Sequence, residues 1–306
     1  MQGSPDILYK AAQHLPKAGG KRLRPALVIL VSKALGGTLE NAIYPALSIE
    51  LMHNFTLVHD DIMDRDEKRR GIPTVHVIYG EPMAILAGDL LYAKSYEALL
   101  KSRLAPDILK KMTEVLTWAA VTLAEGQALD MTFEERWDVS EEEYMEMINK
   151  KTGSLFAASA MLGGLAANRA DLQEQLKELG SKMGVAFQIR DDLLSLIGDE
   201  SKTGKSKYND LREGKKTLIV IKALERASST QLETLKNILG KKDASLDELE
   251  RAFRILEETG ALEYAQRKAE ELAERAISIV KSLPVVDEDA RNILIELIEF
   301  GIKREY

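Results

Sequence analysis

The sequence predicts an all-α fold. Three observations carry this. Apolar residues recur at helical spacing through nearly every segment of the 306-residue chain. Strand signals are nearly absent: no run alternates cleanly, and no Asn-Gly or Asp-Gly pair sits between β-branched runs. No stretch rich in Gly, Ser or Pro divides the chain and no repeat period stands out, so a single domain over 1–306 is expected.

The elements follow in order. Pro25 and Gly36-Gly37 bracket an apolar helix over Ala26–Leu35, as start and stop signals. From Glu40 to Asp64 runs a long helix with few polar residues on any face, the mark of an element in the middle of a bundle rather than on its surface. Further helices are expected over Met83–Lys101, Ala105–Met131, Glu141–Asn149, Gly153–Ala167 and Asp171–Gly198. After a polar loop they resume over Lys216–Arg226, Thr230–Leu239, Leu246–Thr259, Leu262–Leu283 and Glu288–Lys303. Two loops, 65–82 and 199–214, differ from the rest. Both carry many charges and each follows an aspartate-bearing apolar helix, where function tends to sit.

Composition narrows the function classes. A net charge of −7 and a pI of 5.4 give no global footprint for nucleic acid. The basic clusters Lys21-Arg22-Leu23-Arg24 and Lys68-Arg69-Arg70 therefore read as local sites for a small anion. The chain has no cysteine, which excludes disulfides, thiolate chemistry and sulfur-ligated metals and fits a reducing cytoplasm. The start, MQGSPDILYK, lacks a basic segment followed by an apolar one, so no signal peptide is read there. Apolar runs such as Ala26–Val31 fall far short of a membrane span.

The chemistry concentrates in two acidic motifs. Asp60, Asp61 and Asp64 stand at i, i+1, i+4, so Asp60 and Asp64 stack on one face with Asp61 beside them. They end an apolar helix, where the macrodipole disfavours anions. A cluster of oxygen ligands there suits a hard divalent cation. Mg²⁺ takes one or two carboxylates and completes its shell with water and substrate phosphates. A solvated acidic helix end satisfies the same spacing. The second motif, Phe187–Asp199, again ends an apolar helix with Asp191 and Asp192, and Gln188 lies one turn earlier on the same face. The loop that follows carries Lys205 and Lys215. Two such motifs, each followed by a basic loop, would suit metals and a diphosphate held by lysine and arginine.

Together these stretches resemble a known family. GGKRLRP (19–25), DDIMD (60–64) with RRGIPTVH (69–76), GQALD (126–130), KTGSLF (151–156) and FQIRDDLLSLIGD (187–199) are similar, in order and spacing, to the motifs of the trans-isoprenyl diphosphate synthases, closest to the archaeal short-chain geranylgeranyl type. The resemblance implies one large helical bundle of the isoprenoid synthase type around a central active-site cavity. It implies Mg²⁺-dependent head-to-tail transfer from allylic diphosphates to isopentenyl diphosphate, a product of C20, and a homodimer. It implies that Lys21, Arg24, His53 and Arg70 contact isopentenyl diphosphate. Arg69, Lys151, Thr152, Gln188, Lys205 and Lys215 match contacts to the allylic substrate. Asp60, Asp64 and Asp191 match the Mg²⁺ ligands, and Asp61, Asp192, Gln127 and Asp130 match supporting residues.

Chain length is implied to be set by depth. Phe55 precedes Asp60 by five residues and the small Thr56 by four, with Met52 and Ile49 below as further wall. The bland readings stand beside these: His53 as a hydrogen-bonded core histidine, Thr152 as a helix N-cap, Gln127 as a polar residue near a helix end. Two departures from the family pattern stand out. Ser195 occupies the place of a third aspartate in the second motif, with Asp199 as a substitute through water. Only eighteen residues precede Gly19, so a short or truncated N-terminal helix is expected.

Four alternatives remain at this stage. They are a farnesyl diphosphate synthase stopping at C15, a terpene cyclase, a non-catalytic regulatory subunit of a heteromer, and a metal-storing bundle. A cyclase would not need Lys21, Arg24 and Arg70. Metal storage would need Glu-x-x-His pairs that the four histidines do not form.

Overall fold

The structure, a computed structural model, describes residues 1–197 and 208–303. Among these the chain is helical apart from one two-stranded hairpin, β1 (Lys68–Arg69) with β2 (Ile72–Pro73). The helices are α1 (Asp6–Lys17), α2 (Leu23–Ala34), α3 (Leu39–Met63), α4 (Val75–Tyr79), α5 (Glu81–Leu100), α6 (Pro106–Glu134), α7 (Glu141–Ile148) and α8 (Ser154–Ala166). They continue as α9 (Gln173–Ile197), α10 (Asn209–Glu213), α11 (Leu218–Arg226), α12 (Ser229–Ile238), α13 (Leu246–Glu258), α14 (Ala261–Ser282) and α15 (Glu288–Lys303). No helix among the described residues is long and apolar enough to cross a membrane. The chain forms two compact units. The first holds Met1–Ala120, Ala158–Lys177 and Pro284–Leu294; the second holds Val121–Ala157, Glu178–Leu283 and Ile295 onwards.

In the first unit α3 is the organising helix. Thr38 caps it by accepting from the Asn41 amide at 3.3 Å. It packs on α2 and α5 and buries Ala42, Ala46, Ile49, Met52 and Val58. Helix α1, which the periodicity does not mark, adds Ala11, Ala12 and Leu15 to a core with Leu51, Val58, Ala84, Ala87 and Leu91. Burial on all faces, expected for α3, fails at its first half and at Met63, which is 43% exposed. Leu39, Ile43 and Leu47 form an i, i+4, i+8 stripe that is 62, 45 and 44% exposed, because no element of this unit covers it.

The hairpin is also new to the structure. Arg70 (φ 55°) and Gly71 (φ 76°) are consecutive left-handed residues, the geometry of a type I′ turn. An Arg-Gly pair does here what Asn-Gly does more often, so the absence of Asn-Gly did not exclude a hairpin.

In the second unit α7, α12 and α13 each open on a capping box, Ser140 with Glu143, Ser228 with Gln231 and Ser245 with Glu248. The expected break between 149 and 153 is not a break. The helix runs from α7 to α8 through a π-helical turn, Asn149–Gly153. Such turns hold an extra residue and recur at functional sites. Small residues make room for it: a Cβ at Gly184 on α9 would lie 2.9 Å from Gly153 Cα, and one at Gly126 on α6 would lie 2.3 Å from the Lys151 nitrogen. Backbone therefore packs directly on backbone at both positions.

Candidate active site

The first unit brings Asp60, Asp61 and Asp64 at the end of α3 close to Arg69 of the hairpin. Asp64 closes the helix, its amide donating to the Asp60 carbonyl at 2.8 Å. Asp61 is 1% exposed and accepts from Arg69 Nε, while Arg69 Nη2 reaches Asp66 at 3.3 Å. Burial pushes the Asp61 carboxyl up to about 6, against the pull of Arg69. Burial alone would weaken the Arg69 proton, yet Asp61, with Asp66 and Asp60, outweighs it and raises Arg69 above its ordinary value. The second oxygen of Asp61, Oδ2, is buried with no hydrogen-bond partner among the described residues.

Beside this pair lies a cluster of guanidiniums. Arg24 Nη1 is 3.1 Å from His53 Nε2. Arginine has no acceptor, so His53 accepts at Nε2 and carries its proton on Nδ1. Burial, then Arg24, Arg70, Arg69 and Arg22, hold the imidazole neutral, well below its ordinary value. Arg22 pairs with Glu50 and donates to the Pro16 carbonyl at 2.7 Å. Arg70, set by its left-handed turn, donates to the carbonyls of Gly19 and Leu15. Lys21 is exposed in the same loop.

Down the helix, Met52 and Ile49 are fully buried and the Thr56 hydroxyl donates to the His53 carbonyl at 2.8 Å. The Phe55 ring meets His59 edge-on at 4.9 Å and Tyr92 of α5 at 5.2 Å.

The second unit brings Lys151, Thr152, Gln188 and Asp192 together around the π turn. Lys151 Nζ pairs with Asp130 at 2.5 Å. The Thr152 hydroxyl donates to Gln188 Oε1 at 2.8 Å, and Gln188 Nε2 donates to Asp192 Oδ1 at 2.9 Å. Thr152 is thus not an N-cap, the reading its local sequence favoured: the helix passes through it and its hydroxyl is turned to α9 instead. Tyr144 donates to the other Asp192 oxygen at 2.6 Å. Burial and Asp192 keep its phenol protonated, far above the usual range. Burial, then Asp210, push Asp192 up to about 7. Gln127 is buried and Asp191 half-buried. Lys205 and Asp199 lie outside the described residues.

Tyr144 and Asp210 were not legible beforehand. A buried tyrosine and a loop aspartate carry no signal in one sequence. Glycines at 126, 180 and 184 inside helices did carry one, since glycine there costs about 1 kcal/mol without a packing reason.

Asp60 and Asp64 in the first unit, and Asp191 in the second, each offer hard oxygen of the kind Mg²⁺ takes, and the chain offers no thiolate. Among the described residues no three His, Asp or Glu side chains are disposed to hold a metal by themselves.

An all-helical chain with two aspartate motifs and phosphate-seeking arginines defines a class that acts on diphosphates, and comparison with known proteins agrees. Residues 5–256 match the family described as Polyprenyl synthetase. The chain is 46% identical to a geranylfarnesyl diphosphate synthase of Aeropyrum pernix, covering 99% of this chain and 96% of that one. It is 46% identical to a geranylgeranyl diphosphate synthase of Saccharolobus solfataricus, covering 97% and 90%. Its structure resembles that of the Pyrococcus horikoshii geranylgeranyl pyrophosphate synthetase, with TM-score 0.93, 44% identity and coverage of 100% and 92%. This chain belongs to the polyprenyl synthetase family.

Proposed function

We propose that this protein is a prenyltransferase that condenses isopentenyl diphosphate head-to-tail with dimethylallyl, geranyl and farnesyl diphosphates and ends at geranylgeranyl diphosphate, C20. The observation that supports it most directly is the cationic cluster of the first unit. Four guanidiniums act on one neutral histidine; Glu50 and Asp61 pair with Arg22 and Arg69, while among the described residues the hydrogen bonds of Arg70 go to neutral carbonyls. Such a cluster calls for a multiply charged anion, and arginine binds phosphate through a bidentate fork.

In this reading Lys21, Arg24, His53 and Arg70 hold isopentenyl diphosphate. Arg24 fixes the imidazole tautomer, so Nδ1–H is the donor His53 can offer. Arg69, Lys151, Thr152, Gln188, Lys205 and Lys215 face the allylic substrate, and Asp60, Asp64 and Asp191 take Mg²⁺. Bound Mg²⁺ supplies charge that makes the diphosphate a better leaving group. Lys151, Lys215 and Arg69 add fixed positive charge where negative charge develops as the allylic C–O bond breaks with its electron pair on the diphosphate. Thr152 and Gln188, already orienting each other, present neutral oxygens to the allylic cation, which a bare carboxylate would capture. The double bond of isopentenyl diphosphate forms the new C–C bond, and the proton it loses passes to the released diphosphate. Asp61, Asp192, Gln127 and Asp130 support these groups.

Phe55, edge-on to Tyr92, is read as the floor that stops growth, with Met52 and Ile49 beneath and Thr56 leaving room above. We read the enzyme as a cytoplasmic homodimer, which sedimentation analysis tests for its second part. The decisive assay incubates the chain with isopentenyl diphosphate, each allylic starter and Mg²⁺, and separates the products. C20 is expected. Termination at C15 would make it a farnesyl diphosphate synthase, and no elongation with any starter would refute the reading.

A further inference from the structure

Ser195 lies on α9 one turn after Asp191, and its side chain and backbone both meet the chain that returns at Tyr208. We propose that Ser195 and Asp210 form a clasp that fastens the returning chain, Tyr208 to Lys216, onto α9 and so positions Lys215. The function of the clasp rests on the reading of Lys215 as a contact to diphosphate.

Three observations carry it. The Ser195 hydroxyl directs its one hydrogen between the carboxylate of Asp210 and the Asp192 carbonyl, the latter at 2.8 Å. The Ser195 carbonyl meanwhile accepts from the Tyr208 amide at 3.3 Å. One residue of α9 thus grips the returning chain through both its side chain and its backbone. Asp210 is 9% exposed, so this carboxylate is buried with the hydroxyl as its partner rather than solvated.

From Asp210 the clasp reaches Lys215 by the shortest route. The Asp210 carbonyl accepts from the Lys215 amide at 3.0 Å, closing a turn over the five-residue helix α10. On the other side of Lys215 the chain is fastened again. Lys216 is 6% exposed and its ammonium donates to the carbonyls of Glu134 at 3.0 Å and Gly214 at 2.8 Å, 4.7 Å above the Trp137 ring. Lys215 therefore sits between two fixed points, the Ser195–Asp210 clasp and the buried Lys216. A lysine side chain loses rotamer freedom when it binds, and a mobile backbone adds to what is lost. Holding the backbone beforehand removes that part of the cost. Ser195 and Asp210 are positioning residues, acting on substrate through Lys215.

The test uses the full chain and inorganic diphosphate with Mg²⁺ as the probe, measured by titration calorimetry, with thermal unfolding as a check on folding. Ser195→Ala and Asp210→Asn should each weaken binding by about 10-fold, as loss of a charge-assisted hydrogen bond implies. Each should raise KM for the allylic diphosphate more than it lowers kcat. The double variant should be no weaker than the weaker single one, and Ser195→Thr should bind as the wild type does. In a Lys215→Ala background, Ser195→Ala should add no further loss. Unchanged binding by Ser195→Ala would overturn the clasp while leaving the enzymatic reading intact. So would multiplying losses for Ser195→Ala and Lys215→Ala, since the two would then act independently. If Asp210→Asn fails to fold, the Ser195 and Lys215 variants still decide. A wild-type chain that neither binds diphosphate nor elongates would overturn both the function and the clasp's role in it.

Discussion

Replacing Gly126 by alanine adds one methyl group and should disable the second unit's site from behind. The new Cβ would lie 2.3 Å from the Lys151 nitrogen and 2.7 Å from the Lys150 carbonyl carbon and Lys151 Cα. All three are backbone atoms of the π turn, so no side chain can rotate out of the way. Ordinary contact begins near 3.4 Å, so helix α6 and the turn must part by about 1 Å. Overpacking of this kind costs roughly 1–3 kcal/mol. At about 2–4 °C per kcal/mol for chains of a few hundred residues, the melting temperature should fall by several degrees. The same shift stretches Lys151–Asp130 from 2.5 Å and displaces Thr152 from its 2.8 Å register with Gln188. A misplacement of about 1 Å costs on the order of 100-fold in rate. Calorimetry and steady-state elongation of farnesyl diphosphate would read the two effects. If Gly126→Ala melted within a degree of the wild type and kept kcat/KM within twofold, the close approach would not be what holds the turn.

Three further outcomes are expected. His53 is held neutral in the fold, so its folded pKa lies below the unfolded value of 6.5. As pH falls through that value the unfolded chain gains a proton that the folded one does not, and stability is lost at up to about 1.4 kcal/mol per pH unit. Denaturation of wild type and His53→Gln should therefore show the wild type's lead shrinking by about 1.4 kcal/mol between pH 7.5 and 5.5; a constant difference would count against it. Arg69→Gln leaves the carboxylate of Asp61, 1% exposed, without its cation and should cost about 3–5 kcal/mol. Most of that should return in Asp61→Asn/Arg69→Gln, and a double variant as unstable as the single one would refute the pairing. Phe55→Ser opens the wall opposite Tyr92 and should carry products beyond C20 in chromatography; an unchanged distribution puts the floor elsewhere.

Much of the fold was legible because helical periodicity is a local property. The ends of α5, α11, α12, α13 and α15 fall within about two residues of expectation, the usual uncertainty of helix boundaries. Misses arise where a neighbour overrules local preference. The sequence predicts a gap between Asn149 and Gly153, but with backbone packed against Gly153 the helix passes through as a π turn. Arg70 takes a left-handed conformation because a tight hairpin demands it.

The same division runs through the site. The sequence by itself determined the class of fold, the two acidic helix ends and the basic residues close to them, because charge, periodicity and spacing along one helix are properties of a linear string. Only the tertiary structure decided what each group does with its neighbours. It left His53 neutral among guanidiniums, and it turned Thr152 from an apparent cap into a donor to Gln188. It also gave Ser195 a carboxylate fifteen residues away along the chain as its partner. Protonation, tautomer and hydrogen-bond direction depend on burial and on atoms brought close from distant positions, and those exist only once the chain has folded.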